Sequence, residues 1–177
     1  MKFSRQSIKS IAVCAALCLS AVAAHGQEMA TIQATATVVS SLSVSGTNNL
    51  IFGVVSPGAV VAVDKTTAGL AGSWGIAGTV NAEVQLTFTL PDSLQHTTDP
   101  VGIPIVFATT DASYEDGSGG GQSAPAGALD PNLGATLRLG TAGTLNIWIG
   151  GTIFPSIIQT GGDYASDIVL EVIYTGG

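Results

Sequence analysis

MATIQATATVV, residues 29–39, alternates strictly between two kinds of side chain. Ile32, Ala34, Ala36 and Val38 fall on one side; Thr31, Gln33, Thr35 and Thr37 fall on the other. A period of two marks a β-strand with one buried face. What decides the fold is whose core receives that face: its own, or that of a neighbouring copy.

Upstream of this stretch the chain has the form of a secretory leader. Lys2, Arg5 and Lys9 supply a positive start, and residues 11–24, IAVCAALCLSAVAA, are apolar. Ala24 and Gly26 are the small residues expected before a cut at Gln27. The apolar run is too short to span a bilayer, and no later run is long enough, so no membrane span is expected in the mature chain. Both cysteines, Cys14 and Cys18, lie inside the leader. Residues 27–177 then keep two basic residues, Lys65 and Arg138, against all twelve acids, a net charge of −10. That balance leaves no electrostatic footprint for nucleic acid.

Downstream, Val, Ile, Thr and Gly dominate, a composition that favours strands over helices. Residues 41–45 continue extended, and 46–49 (GTNN) read as a turn. Short strands are expected over 50–55 (LIFGVV), 59–63 and, bent by glycines, 70–79. The clearest strand of the middle is 83–90, with Val84, Leu86, Phe88 and Leu90 facing in. Others are expected over 103–109, 135–139, 144–150 and 152–159. Residues 111–132, rich in Gly, Ser, Asp and Pro, read as a long, mobile, exposed loop. The last strand, 164–175, places Ile168, Leu170, Val172 and Tyr174 on one face and Val169, Glu171 and Ile173 on the other. Eight to ten short strands separated by turns, within one domain of residues 41–177, indicate an all-β Greek-key sandwich, with a closed barrel as the alternative.

Catalytic groupings are not visible. His96 is the one histidine after the leader and reads as solvated in a polar loop. A single His without Cys argues against zinc, and the acids are scattered singly. Asp111 would need Gly at 116 and an acid at 122 to begin a calcium loop, but Asp116 and Gln122 stand there. No metal, cofactor or enzymatic activity is expected. Trp74, Trp148, Tyr114 and Tyr164 could make a sugar-binding face, but aromatic residues on strands are more often core.

ATATVV at 34–39, LIFG at 50–53, LNIWIGG at 145–151, and Gly162-Asp163-Tyr164 followed by 168–174 together resemble a family of secreted all-β domains of unknown function from Gram-negative bacteria. The layout is similar to that of major fimbrial subunits of the chaperone–usher type, in particular the alpha-fimbrial class. That resemblance implies an immunoglobulin-like sandwich lacking one strand, completed by an N-terminal donor strand from the next subunit. It implies that residues 27–40 form the donor extension, with Ile32, Ala34, Ala36 and Val38 as inserted residues. Ile168, Leu170, Val172 and Tyr174 would line the acceptor groove. The implied partners are copies of the same chain, a periplasmic chaperone and an outer-membrane usher. The implied location is the periplasm in transit and then a surface filament. A self-contained secreted adhesin or glycan-binding module is the alternative. Burying Ile32 and Val38 would contribute about 1.5–3 kcal/mol each, the alanines less. Each new ladder bond would add about 0.5–1.5 kcal/mol, so so small a donor face would lean on its backbone.

Overall fold

A computed structural model describes residues 33–36 and 41–176. The leader expected at 1–26, together with Ile32 and Val38, lies outside the described residues. The chain divides into two units, Met1–Thr37 and Val38–Gly177. In the first, residues 33–36 are exposed and belong to no strand, so Ala34 and Ala36 present their side chains to solvent.

The second unit is all β, with no helix among the described residues. Its strands are β1 (Ser43–Asn48), β2 (Val61–Val63), β3 (Gly72–Ala77), β4 (Glu83–Thr89), β5 (Ser93–His96) and β6 (Gly102–Val106). They continue with β7 (Ala112–Glu115), β8 (Gly127–Leu129), β9 (Ala135–Arg138) and β10 (Thr144–Ile149). The last three are β11 (Gly151–Ile153), β12 (Tyr164–Ala165) and β13 (Val169–Tyr174). They form three sheets ordered β1-β3-β10-β7-β8, β12-β5-β6-β11-β2 and β13-β4-β9. Every ladder is antiparallel.

The alternation seen in the sequence is what the sheets use. Leu145, Ile147 and Ile149 of β10 are fully buried, as are Val84 and Leu86 of β4, while their neighbours along each strand face outward. Ile76, Ile103, Ile105, Ile153 and Leu170 join them, so all three sheets feed one core. Ile147 sits opposite Trp74, and the Trp74 ring meets Phe88 of β4 edge to face at 6.0 Å, joining the first and third sheets. A single chain segment passes between sheets at Gly150, where β10 ends and β11 begins.

Besides the strand expected over 152–159, which ends at Ile153 as β11 and leaves 154–159 a loop, four local expectations change. The turn expected at 46–49 is the second half of β1. It keeps pairing with β3 through a bulge between Gly46 and Asn48, and the Asn48 side chain donates to Ala71 O at 2.7 Å. Conversely, residues 50–55 form no strand: Gly53 has φ 74°, which breaks an extended run, and Ile51 N–H reaches Leu70 O instead of a ladder partner. The single strand expected over 164–175 is two, β12 and β13. Ser166 Oγ, between them, donates to Ser93 O, and Ile168 lies just before β13.

The fourth change concerns 111–132, which is not one long loop. It contains β7 and β8, paired to each other, with β7 also paired to β10. Its glycine-rich centre is organised by Glu115. That carboxylate is 7% exposed and accepts the N–H groups of Gly117 (2.7 Å), Gly119 (2.8 Å) and Gly121 (3.3 Å). Glycine-rich composition read as mobility because nothing in it announces a carboxylate that satisfies three successive donors.

The Gly119 N–H is the main cause holding the Glu115 carboxyl below its ordinary 4.5, with burial opposing it and the Gly117 and Gly121 donors assisting. A depressed folded value means that its stabilisation is complete above the unfolded value and is lost as pH falls through the folded one. Denaturant titrations between neutral and acid pH should therefore show the unaltered chain losing a component of stability on the acid side of 4.5 that Glu115→Gln lacks. Parallel curves for the two chains would contradict this. In the core, Ile147→Ala should lower unfolding free energy by about 2–5 kcal/mol in the same assay.

Candidate functional site

Six strands of the second unit are sheet edges with one unpaired side: β1, β2, β8, β9, β12 and β13. Of these, β1 pairs only with β3, and β13 pairs only with β4. These two are tied together at one end, and a groove opens beyond it.

The closed end is made by Tyr174. The Thr79 N–H donates to its hydroxyl oxygen at 2.7 Å, and the hydroxyl lies 3.3 Å from Ser41 O, to which it can donate. The phenol thereby ties the last residue of β13 to the chain just before β1. Gly78 makes room for it: a Cβ there would lie 2.3 Å from the phenolic oxygen and 2.9 Å from Leu139 Cδ1. Leu42 packs against the core beside this latch.

The open end is a groove of about 1100 Å³. Residues of β1 and the 49–55 segment line it from the first sheet's edge, and residues 162–168 line it from the other side. Trp74, Leu94, Ile103, Ile105 and Ile153 also line it. Three of these, Ile103, Ile105 and Ile153, belong to the buried core, so the base of the groove reaches the hydrophobic interior, while Asn48, Asn49, Gln159, Thr160 and Ser166 add polar surface. Leu50, Phe52 and Val55 pack partly on the core from the rim, as do Tyr164 and Ile168. Asp163 and Asp167 are the only charged residues among its lining groups.

The 160–164 rim is braced by His96. Its Nδ1 accepts the N–H of Asp99 at 3.0 Å and of Thr98 at 3.2 Å, and its Nε2 lies 3.3 Å from Gly161 O. The acceptor role of Nδ1 puts the ring hydrogen on Nε2, facing that carbonyl. The ring meets Tyr164 edge to face at 4.9 Å. Tyr164 in turn donates its hydroxyl to Thr160 O at 2.7 Å and receives Gln159 Nε2 at 2.8 Å. His96 is thus a largely buried structural residue of β5, not the solvated loop residue expected from its polar neighbours.

The four residues assigned to the terminal strand's inner face are all placed toward the core. Leu170 is in it, and Ile168, Val172 and Tyr174 pack against it. Of the four, only Ile168 lines the open groove, while Tyr174 forms the latch. The 50–55 wall was missed as a site because an all-apolar run reads equally as a buried strand. Trp74, weighed as a possible sugar platform, lies in the groove but spends one side on Phe88. Trp148 is half-buried in β10, in register with Ser73 and Ser113, and does not line the groove.

Among the described residues, no three His, Cys, Asp or Glu side chains gather as a metal set. No helix among them is long and apolar enough to cross a membrane. What the groove offers chemically is a mixed apolar and polar surface beside an unpaired strand edge, to which an extended peptide can add. No protein-family model matches the chain, and no curated protein sequence matches it.

Tyr174→Phe should leave the Thr79 N–H without its partner and lower unfolding free energy by about 0.5–1.5 kcal/mol, measured by chemical denaturation. An unchanged midpoint would mean that the latch contributes only packing.

Proposed function

We propose that this chain is the structural subunit of an extracellular filament, built without catalysis by strand exchange between copies. In this proposal the 41–177 body is an immunoglobulin-like Greek-key β-sandwich missing one strand, and residues 29–39 of another copy supply it. The inserted residues are Ile32, Ala34, Ala36 and Val38. The receiving surface is the groove and the free edge of β13, with Ile168, Leu170, Val172 and Tyr174 beneath.

One observation carries the proposal: a groove of about 1100 Å³ that reaches the core, lined by residues of the edge strand β1 and by residues 162–168, which lead into the edge strand β13. An unfilled groove of this kind exposes apolar surface and unpaired backbone groups, and both favour strand addition. The strand at 29–39 suits it in three ways. It is apolar on one side and polar on the other, as a half-buried strand must be. It carries no charge, so it meets no repulsion from Asp163 and Asp167. Its small side chains allow a close approach to a groove already occupied by Trp74 and Phe52. In the first unit, Ala34 and Ala36 are exposed and outside any strand, the condition of a segment available to a partner.

A subunit with this groove needs protection before assembly, which is the role of a periplasmic chaperone, with an outer-membrane usher as the exit. The leader-like first 26 residues support export by that route. A second reading, a self-contained glycan-binding module, takes support from Trp74 and Tyr164 in the groove. Trp74 already packs on Phe88, and the Tyr164 hydroxyl is bonded to Thr160 and Gln159, which leaves less of either for a sugar.

Ala34→Asp places a charge on the inserted face, where burial without a partner is costly. The expected result is a chain with an unchanged circular dichroism spectrum and an unchanged melting curve as a subunit, but no filaments in electron micrographs. Filaments at the level of the unaltered protein would refute the assignment of 29–39 as the inserted strand.

A further inference from the structure

One pole of the second unit is apolar and free of charge. It consists of two loops, residues 53–60 and 154–159, joined by Gly58 N–H to Ser156 O at 3.0 Å. Ile157 and Ile158 are 84% and 85% exposed, and Val54, Val60 and Phe154 are also exposed in these two loops. No charged residue occurs in 50–63 or in 139–162, although twelve acids lie between 28 and 171. Apolar exposure concentrated in two adjoining loops marks an interaction surface rather than scattered surface hydrophobes. The tip is continuous with the groove, since Val54, Pro57 and Pro155 line it.

The direction of the inserted strand identifies the occupant. Every ladder among the described residues is antiparallel, and an added strand pairing β13 in the same way runs opposite to it. β13 ends at Tyr174, the closed end, so the added strand leaves the groove at the Tyr164 end, beside Val54, Pro57 and Pro155. From Val39 to Ser43, the first residue of β1, there are only four residue steps. Fully extended, these reach about 14 Å. The body of the copy that donates the strand is therefore held within that distance of the apolar tip. The end it brings there bears Ser41, the Tyr174 latch and the exposed Val80.

We propose that the tip formed by Val54, Pro57, Ile157 and Ile158 seats the body of the next copy, giving a head-to-tail contact that sets the stiffness of the filament. This rests on the strand-exchange reading above and adds to it a second interface. Head-to-tail contacts use two different surfaces and propagate without closing, as a filament requires.

The test uses the full-length secreted chain carrying Ile157→Asp with Ile158→Asp, beside a Leu133→Asp control, which is 84% exposed but outside both loops. Strand insertion is read as a denaturant-resistant ladder of oligomers on a gel, and stiffness as persistence length in electron micrographs. Circular dichroism checks that each subunit is folded, and a milder Ile157→Ser, Ile158→Ser pair serves if the aspartates disturb it. Expected is a normal ladder with a several-fold loss of persistence length in the double variant, and no change in the control. Unchanged stiffness, or equal loss in the control, would overturn the proposal. So would unaltered filaments from a variant that has lost binding to phosphatidylcholine vesicles, which would make the tip a lipid contact. Absence of the ladder from the unaltered chain would instead refute strand exchange itself.

Discussion

Two of the molecule's edge strands, β1 and β13, are tied at one end by Tyr174, and beyond that tie a groove opens onto the core. Backbone N–H and C=O groups near an apolar interior must find partners, and unpaired edges beside exposed core are the least tolerable arrangement a sheet protein can keep. At Tyr174 the problem is solved within the chain: one phenol bonds Thr79 and reaches Ser41, and the space left by Gly78 lets it seat. Toward Tyr164 nothing among the described residues closes the gap, and Ile103, Ile105 and Ile153 lie at its base. The rest of the structure is arranged around that asymmetry. His96 stiffens one rim through three backbone groups, and the Trp74–Phe88 contact holds the first and third sheets together beside the opening.

The chain is held without help from strong local devices. Residues 27–177 contain no cysteine, and charge pairing is sparse: Arg138 meets Glu83 at 3.1 Å on the surface, where such pairs contribute little. Stability rests on apolar burial in β3, β4, β6, β10 and β11 and on ladders that are antiparallel throughout. A body built this way gains most from each added strand, because each brings both burial and ladder bonds. Under the strand-exchange proposal, an inserted face half made of alanine is then physically adequate, because its backbone supplies what its side chains do not.

Much of this was legible in the residues, and the parts that were not share a cause. β4, β10 and β13 could be read directly, because one-sided burial writes an alternation that composition does not disturb. The inner face of the last strand, from Leu170 to Tyr174, came out the same way. Residues 50–55 could not be read, because six nearly unbroken apolar residues look alike whether they pair inside a sheet or stand at the rim of a groove; Gly53 was the one local hint. β7 and β8 were hidden by glycine and serine around them, and the order there comes from Glu115, whose three donors lie two, four and six residues on. His96 was hidden likewise, because hydrogen bonds to backbone leave no mark on side-chain pattern. The groove itself is a property of segments far apart in the chain, 46–57 and 159–168, and no local pattern encodes such a meeting.

The central claim is that the free edge of β13 and the strand at 29–39 become partners in different copies. Hydrogen–deuterium exchange, compared between isolated subunits and assembled material, addresses both sides at once. Amides in 29–39 and those on the unpaired side of β13 should exchange rapidly in the subunit and become strongly protected together on assembly, while β10 stays protected in both. Assembly with β13 and 29–39 still exchanging at subunit rates would contradict it.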